Sequence, residues 1–137
     1  GVANPTALVL ANNTFQAVTA VGYPEGRILL SECAIYLASS PKSNKAYKAI
    51  DLALEKVKQT GNLHVPIHLR NATTKLMKDL GYGKGYQYAH DFKNQFVDQE
   101  FLPEELSGTK FYDPGENSKE NSIRDFLKNR WKSKYNY

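Results

Sequence analysis

At 137 residues the chain has the length of a single domain, which we place at residues 1–137. It contains no apolar run long enough to span a bilayer and no signal-peptide layout, so we expect a cytoplasmic protein with no membrane partner. The chain has one cysteine, Cys33, so it cannot form an internal disulfide, and we expect this residue in the core. The net charge of +4 is too small to identify a partner by itself.

The first third of the chain predicts two helices. Asn4-Pro5 is a helix-start signal, a capping residue followed by proline, and this helix should end at Gly22. A second helix opens near Pro24 and is apolar nearly all round from residue 28 to residue 38. A helix of that kind is normally buried, so either its own domain or a partner subunit must cover it. The side chains that we assign to a candidate subunit interface are Ile28, Leu29, Ile35 and Tyr36.

A third helix follows the stop signal Ser39-Ser40-Pro41 and runs to Gly61. Its apolar residues recur at helical spacing on one face, at Ala46, Ile50, Ala53 and Val57. Five lysines fall mainly outside that stripe, namely Lys42, Lys45, Lys48, Lys56 and Lys58. These lysines form either a solvated face or a face that tracks phosphates, and their spacing leaves both interpretations open.

Residues 64–91 form the densest stretch of the chain. Pro66 favours an extended entry, Asn71 stands where a helix cap is expected, and a short helix ends at Gly81. Glycines and tyrosines then alternate, which is typical either of a binding surface or of a packed corner with tight turns and buried rings. The candidate residues for a surface that contacts DNA or a partner protein are Arg70, Asn71, Lys75, Lys78, Tyr82, Tyr86, Tyr88 and His90.

Beyond residue 91 the chain is less regular. Residues 86–88 and 110–112 are both short and aromatic, so they are candidates for a two-stranded ribbon. Ile123, Phe126 and Trp131 stand at helical spacing and predict a last helix. Basic residues surround that helix, and they are either a nucleic-acid footprint or cations that favour a helix C-terminus.

The chain contains no recognisable catalytic machinery. The segment Gly81-Tyr82-Gly83-Lys84-Gly85 has its glycines and lysine in the wrong order for a phosphate-binding loop. His64 and His68 have the spacing of zinc ligands on a helix, but Pro66 between them disfavours that helix. His90-Asp91 has no recognisable nucleophile to serve. We therefore predict no catalytic residue, no metal site and no cofactor in this chain, which would not be an enzyme by itself.

One long segment resembles a known family. Residues 65–91, VPIHLRNATTKLMKDLGYGKGYQYAHD, are similar to the signature of the MgsA/RarA family, the bacterial relatives of the Werner-helicase-interacting protein. The segment departs from that signature at Thr73, where relatives usually carry proline. The resemblance extends to residues 41–49 and 102–106 and weakens after Pro114, so it covers most of the chain.

From the residues themselves we predict an all-α fold of about five helices with one irregular aromatic segment. The resemblance implies in addition a clamp-loader-collar-like domain that follows an AAA+ ATPase motor and holds the ATPase as a homotetramer. ATP and Mg²⁺ would belong to that motor, which this chain lacks. Since Gly1 is not an initiator methionine, we expect a fragment of a longer, DNA-dependent ATPase.

Two functions are compatible with these patterns. The first is an oligomerisation domain, which tetramerises an ATPase involved in DNA replication, repair and recombination; the apolar second helix favours it. The alternative is a module that docks DNA or a partner protein through residues 64–91. The resemblance implies DNA ends and forks and single-stranded-DNA-binding protein as partners, and therefore a position at the bacterial nucleoid.

Overall fold

All residues from Gly1 to Tyr137 are described in a computed structural model. Its five α-helices are α1 (Thr6–Val21), α2 (Gly26–Ser39), α3 (Lys45–Thr60), α4 (Lys75–Asp79) and α5 (Ser118–Trp131). Single 3₁₀ turns lie between α3 and α5, at Ile67–Leu69, Ala89–Asp91, Lys93–Gln95 and Glu104–Leu106. The predicted all-α fold is confirmed. None of the helices combines the length and the apolar character that a membrane span requires.

Two compact units can be distinguished in the chain. The first unit contains Gly1–Asp51 and Tyr112–Asp125, and the second contains Leu52–Phe111 and Phe126–Tyr137. Very few apolar side chains are buried: Ala3, Cys33 and Pro114 in the first unit and Val97 in the second. The core position predicted for Cys33 is thus confirmed. That residues 1–137 act as a single domain stays a prediction.

In the first unit α1 packs against α2. Gly26 makes the close approach possible, since a Cβ at this position would lie 3.3 Å from Cγ1 of Val18. The side chain of Asn4 does not cap α1 as predicted. Its amide instead donates to Tyr36 Oη at 3.1 Å and to Ser40 Oγ at 2.9 Å, so Asn4 ties the start of the chain to the end of α2.

A buried carboxylate holds the start of α5 in the first unit. The side chain of Asn117 accepts a hydrogen bond from Glu120 N at 3.0 Å and caps the helix. Glu120 is fully buried, and its carboxylate accepts from Tyr112 Oη at 3.0 Å and from the Asn117 amide. Burial opposes ionisation of Glu120, but hydrogen bonds outweigh it and lower its pKa to about 2; the donors are Ser43, Gly115, Asn117 and Tyr112.

In the second unit an aromatic cluster surrounds Trp131 at the end of α5. Its ring meets Phe96 edge-on at 4.9 Å between centroids and Tyr135 at 5.1 Å. Edge-to-face pairs of this kind stabilise by about 0.5–1.5 kcal/mol beyond the area they bury. The cluster therefore compensates in part for the scarcity of aliphatic core in this unit.

Two further local predictions are wrong. The ribbon between residues 86–88 and 110–112 does not form, because the backbone is used in local turns: Tyr86 N donates to Gly83 O at 3.1 Å, and Tyr88 O accepts from Asp91 N at 3.0 Å. Asn71 does not cap α4. Thr74 does so, since its Oγ1 accepts from Met77 N at 3.2 Å, and residues 71–73 stay outside the helix.

Candidate functional site

The glycine–tyrosine segment folds back onto the 3₁₀ turn Ile67–Leu69. Gly83 N donates to Ile67 O at 3.0 Å and joins the two stretches. Gly83 has a φ of +72°, and a Cβ there would lie 3.3 Å from Arg70 O. Glycine is therefore the residue that permits both this backbone conformation and this close approach.

The side chain of Arg70 is held in place by neutral groups. Its Nε donates to Val65 O at 2.6 Å, and its Nη1 donates to Tyr82 Oη at 3.3 Å. The guanidinium also lies 5.1 Å from the centre of the Tyr82 ring. No carboxylate forms an ion pair with Arg70. The guanidinium is thus fixed in position while its positive charge stays uncompensated.

A pocket of about 320 Å³ opens between the two stretches, and we call it the Arg70 pocket. Its lining includes His68, Arg70, Asn71, Gly83 and Tyr86. Three residues of the predicted surface therefore share one cavity. His68 and Gly83 also line the cavity but were not part of the predicted surface. For Gly83 the sequence did contain a signal, since a glycine between larger residues indicates that the backbone approaches another group closely.

His68 fixes the Arg70 pocket to the rest of the second unit. Its Nε2 lies 2.9 Å from Glu100 O. Because a carbonyl oxygen only accepts hydrogen bonds, Nε2 carries the proton in this contact. In neutral His68 the other ring nitrogen, Nδ1, is then an acceptor.

The remaining predicted surface residues lie outside the pocket. Lys75 and Lys78 are exposed on α4 and form no ion pair. Tyr82 is not part of the pocket lining, but its hydroxyl accepts the hydrogen bond from Arg70 Nη1. Tyr88 and His90 are exposed and pair with each other, with ring centroids 5.0 Å apart. The structure therefore brings together Arg70, Asn71, Tyr82 and Tyr86, and it separates Tyr88 and His90 from them.

A second cavity, of about 410 Å³, lies on another side of Arg70. One part of its lining comes from residues 64–70 and the other from residues 100–107, including Glu100, Glu104 and Glu105. Charges of both signs meet there, which makes this cavity a poor site for a polyanion. No group of three or more His, Cys, Asp or Glu side chains is placed to hold a metal ion anywhere in the chain.

The basic C-terminal segment is partly neutralised within the chain. Lys134 Nζ lies 3.5 Å from Glu100 Oε2 and 3.8 Å from Asp98 Oδ1. Burial would raise the pKa of Glu100, but hydrogen bonds and the Lys134 charge hold it below its ordinary value; the donors are Ser107, Leu102 and Phe101. Lys128 and Lys132 remain exposed, with no ion pair.

The exposed face of α2 forms an open groove of about 590 Å³, which we call the α2 groove. Of the predicted interface residues, Ile28, Ile35 and Tyr36 line it, while Leu29 is half-buried and lies outside. Arg27, Ser31, Glu32 and Ser39 complete the lining. Helical spacing from residue 28 gives the positions 31, 32, 35 and 39, so the sequence contained the signal for the whole face. The chain covers α2 on the side that packs against α1, but it leaves this face open.

Comparisons with known proteins agree on one family. Residues 1–131 match the sequence model described as MgsA AAA+ ATPase C terminal. The chain is 43% identical to replication-associated recombination protein A of Coxiella burnetii over 128 residues. The aligned stretch covers 93% of this chain and 29% of that protein. The Escherichia coli K12 protein of the same name is 40% identical with the same coverage. ATPase WRNIP1 of Dictyostelium discoideum is 45% identical over 114 residues, 82% of this chain and 13% of that protein. The chain thus spans less than a third of each relative.

Proposed function

Since the chain belongs to the family of MgsA AAA+ ATPase C-terminal domains, we propose that it is the oligomerisation domain of a replication-associated recombination ATPase and holds four copies together. The uncovered apolar surface of α1 and α2 supports this function most directly. Leu8 and Phe15 on α1 are 77% and 73% exposed, and the α2 groove adds Ile28 and Ile35. An apolar surface of that extent is typical of a protein–protein interface.

Two exposed apolar surfaces of the first unit favour a tetramer over a dimer. One is on α1, at Leu8 and Phe15, and the other is the α2 groove with Ile28 and Ile35. A closed tetramer gives each subunit at least two interfaces, while a twofold dimer gives it one and would leave one of these surfaces uncovered.

We place the other functions of the ATPase outside this chain. The relatives are more than three times as long as the segment that they share with it. We propose that ATP and Mg²⁺ bind to an N-terminal motor in that additional length, and that the present chain forms a helical collar like that of clamp loaders. The collar would place four motors around a common axis, where they can act on DNA together.

The solution mass of the chain tests this function. Gel filtration coupled to light scattering at tens of micromolar should give about four times 15.4 kDa. Ile35→Ser, which makes the α2 groove polar, should shift the mass towards that of a monomer or dimer. Leu76→Ser is the matched control, because Leu76 on α4 is 67% exposed against 66% for Ile35. A monomer at every concentration would remove assembly as a function of this domain.

A second function, docking of DNA by the second unit, is favoured by uncompensated charge around the Arg70 pocket. Between residues 70 and 84 four cations form no ion pair, namely Arg70, Lys75, Lys78 and Lys84. Such a group attracts backbone phosphates without regard to base sequence. The names of the relatives, which refer to replication and recombination, agree with a DNA partner. We propose DNA ends and forks as ligands, and single-stranded-DNA-binding protein as a further partner.

Fluorescence anisotropy of a labelled forked DNA, titrated with the whole chain, tests the second function. Binding should weaken steeply as salt rises, because each phosphate contact releases counterions. An absence of binding at low salt would leave assembly as the only proposed function of the chain.

A further inference from the structure

We propose that the Arg70 pocket accepts one unstacked base of single-stranded DNA, with Tyr86 as the stacking surface and Arg70 as the contact to an adjacent phosphate. This inference rests on the DNA-docking function proposed above. It adds to that function a specific cavity and the requirement that the bound nucleotide be unpaired.

The dimensions of the pocket favour a single nucleotide. Its volume of about 320 Å³ lies at the lower end of the roughly 300–1,000 Å³ that small-molecule pockets occupy. A base that remains paired and stacked in a duplex cannot enter a cavity of this size. Only an unpaired base, turned out of its strand, can fill it.

Arg70 is positioned in advance for an anion. Two neutral acceptors, Val65 O and Tyr82 Oη, fix its Nε and Nη1, while its Nη2 has no hydrogen-bond partner in the protein. The residue is half-buried, so its charge is partly removed from water without a carboxylate to compensate it. A phosphate at Nη2 would supply that compensation through a charge-assisted hydrogen bond.

Asn71 and Tyr86 supply the contacts that a base needs. The Asn71 amide has no hydrogen-bond partner in the protein and offers one donor and one acceptor, which match the pairing edge of an unpaired base. Tyr86 is 55% exposed at the same cavity, and an exposed aromatic ring stacks on any base. Gly83 contributes backbone without a side chain, and a Cβ there would press on Arg70 O.

The test compares two labelled strands of equal length with the whole chain. One is oligothymidylate, and the other has the same backbone with its central residues replaced by abasic tetrahydrofuran units. The wild-type chain should bind the strand with bases about tenfold more tightly, the effect expected for one stacked base. Tyr86→Ala should abolish this preference. Tyr47→Ala is the matched control and should retain it, because Tyr47 is a 67% exposed tyrosine on α3 and lies outside the pocket.

Three results would overturn the inference, and they separate it from the proposed DNA docking. Equal, salt-dependent binding of both strands by the wild-type chain would leave DNA docking intact and assign it to phosphates alone. A preference for bases that survives in Tyr86→Ala would place the base outside the Arg70 pocket. A wild-type chain that binds neither strand would overturn DNA docking and the pocket together. Circular dichroism of each variant checks that its helices are intact. We expect them to be intact in Tyr86→Ala, because Tyr86 is exposed and its ring is not part of a core.

Discussion

The ammonium group of Lys134 lies 5.0 Å from the centre of the Trp131 ring, and it donates a hydrogen bond to Gln99 O at 2.9 Å. Carboxylates of Asp98 and Glu100 stand within 4 Å of the same group. One cation thereby joins the last residues of the chain to a segment about 35 residues earlier. Lys134 is consequently a structural residue of the second unit, whereas Lys128 and Lys132 of the same tail are exposed and form no ion pair.

Lys134→Met should lower the stability of the second unit by about 1–2 kcal/mol. The change keeps most of the side-chain volume, but it removes a charged donor and leaves Glu100 without its cation. Urea unfolding followed by fluorescence of Trp131, the only tryptophan, should show a lower midpoint. Lys128→Met, at an exposed lysine without an ion pair, is the control, and equal midpoints for the two variants would contradict the prediction.

The spacing of apolar residues is enough to locate the long helices. α1 ends one residue before Gly22, α3 ends one residue before Gly61, and α5 contains the predicted apolar positions. The spacing of apolar residues shows that one face of a helix is apolar. It does not show whether that face packs against the same chain, against another subunit or against nothing. For that reason the sequence leaves open whether α2 is buried or uncovered, and only the structure shows the α2 groove.

The candidate site could be predicted from the sequence only in part, because it depends on contacts between residues that are distant along the chain. Residue type alone identifies Arg70, Asn71 and Tyr86, but their common pocket depends on the Gly83 turn folding back onto Ile67. The same holds for Glu120. A carboxylate in the first turn of a helix is normally exposed and interacts with the helix N-terminus. Glu120 is instead fully buried, and it accepts a hydrogen bond from the Tyr112 hydroxyl, which the sequence does not predict.

Stability of the first unit should fall as the pH is lowered from about 4.5 towards about 2. The pKa of Glu120 is about 2 in the folded chain against an ordinary value of 4.5, so the folded state favours the ionised carboxylate. A group with a lowered folded-state pKa contributes stability that is present above its unfolded pKa and lost as the pH falls through the folded one. Thermal unfolding at a series of pH values measures this loss.

Glu120→Gln should remove that part of the pH dependence. At pH 7 the variant should melt roughly 5 °C lower. The Tyr112 hydroxyl and the Asn117 amide both donate to the Glu120 carboxylate, so the NH₂ group of glutamine would face one of these donors instead of accepting its hydrogen bond. The two melting curves should converge as the pH approaches 2. Glu116→Gln, at an exposed position in the preceding loop, should follow the wild type throughout. A constant gap between Glu120→Gln and wild type would show that Glu120 does not titrate as described.

Gly83→Ala should destabilise the second unit more than Gly85→Ala does. Both positions have positive φ, +72° and +83°, so each alanine is expected to cost about 1–2 kcal/mol from backbone strain. At Gly83 the new Cβ also meets Arg70 O at 3.3 Å, whereas nothing lies within 4 Å at Gly85. The difference between the two urea midpoints therefore measures the close approach that shapes the Arg70 pocket. Equal midpoints would mean that Arg70 can move away freely.

Removal of the α4 lysines should reduce the salt dependence of DNA binding. Lys75 and Lys78 are exposed and form no ion pair, so Lys75→Gln with Lys78→Gln leaves the fold intact. For single-stranded DNA the slope of log K against log salt changes by about 0.7 per phosphate contact. The double variant should therefore flatten the slope by about 1.4 if both lysines contact phosphates. Anisotropy titrations at several salt concentrations give the slope.

The same experiment with Lys128→Gln and Lys132→Gln separates the α4 lysines from the tail. Both double variants lower the net charge equally, so a general loss of attraction affects them alike. A site around the Arg70 pocket requires the α4 variant to flatten the slope and the tail variant to leave it close to that of the wild type. The opposite result would move the DNA contact to the tail, beyond the Lys134 anchor. Two unchanged slopes would leave the segment of residues 64–91 as a packed corner, in which Gly83 and Arg70 serve the fold alone.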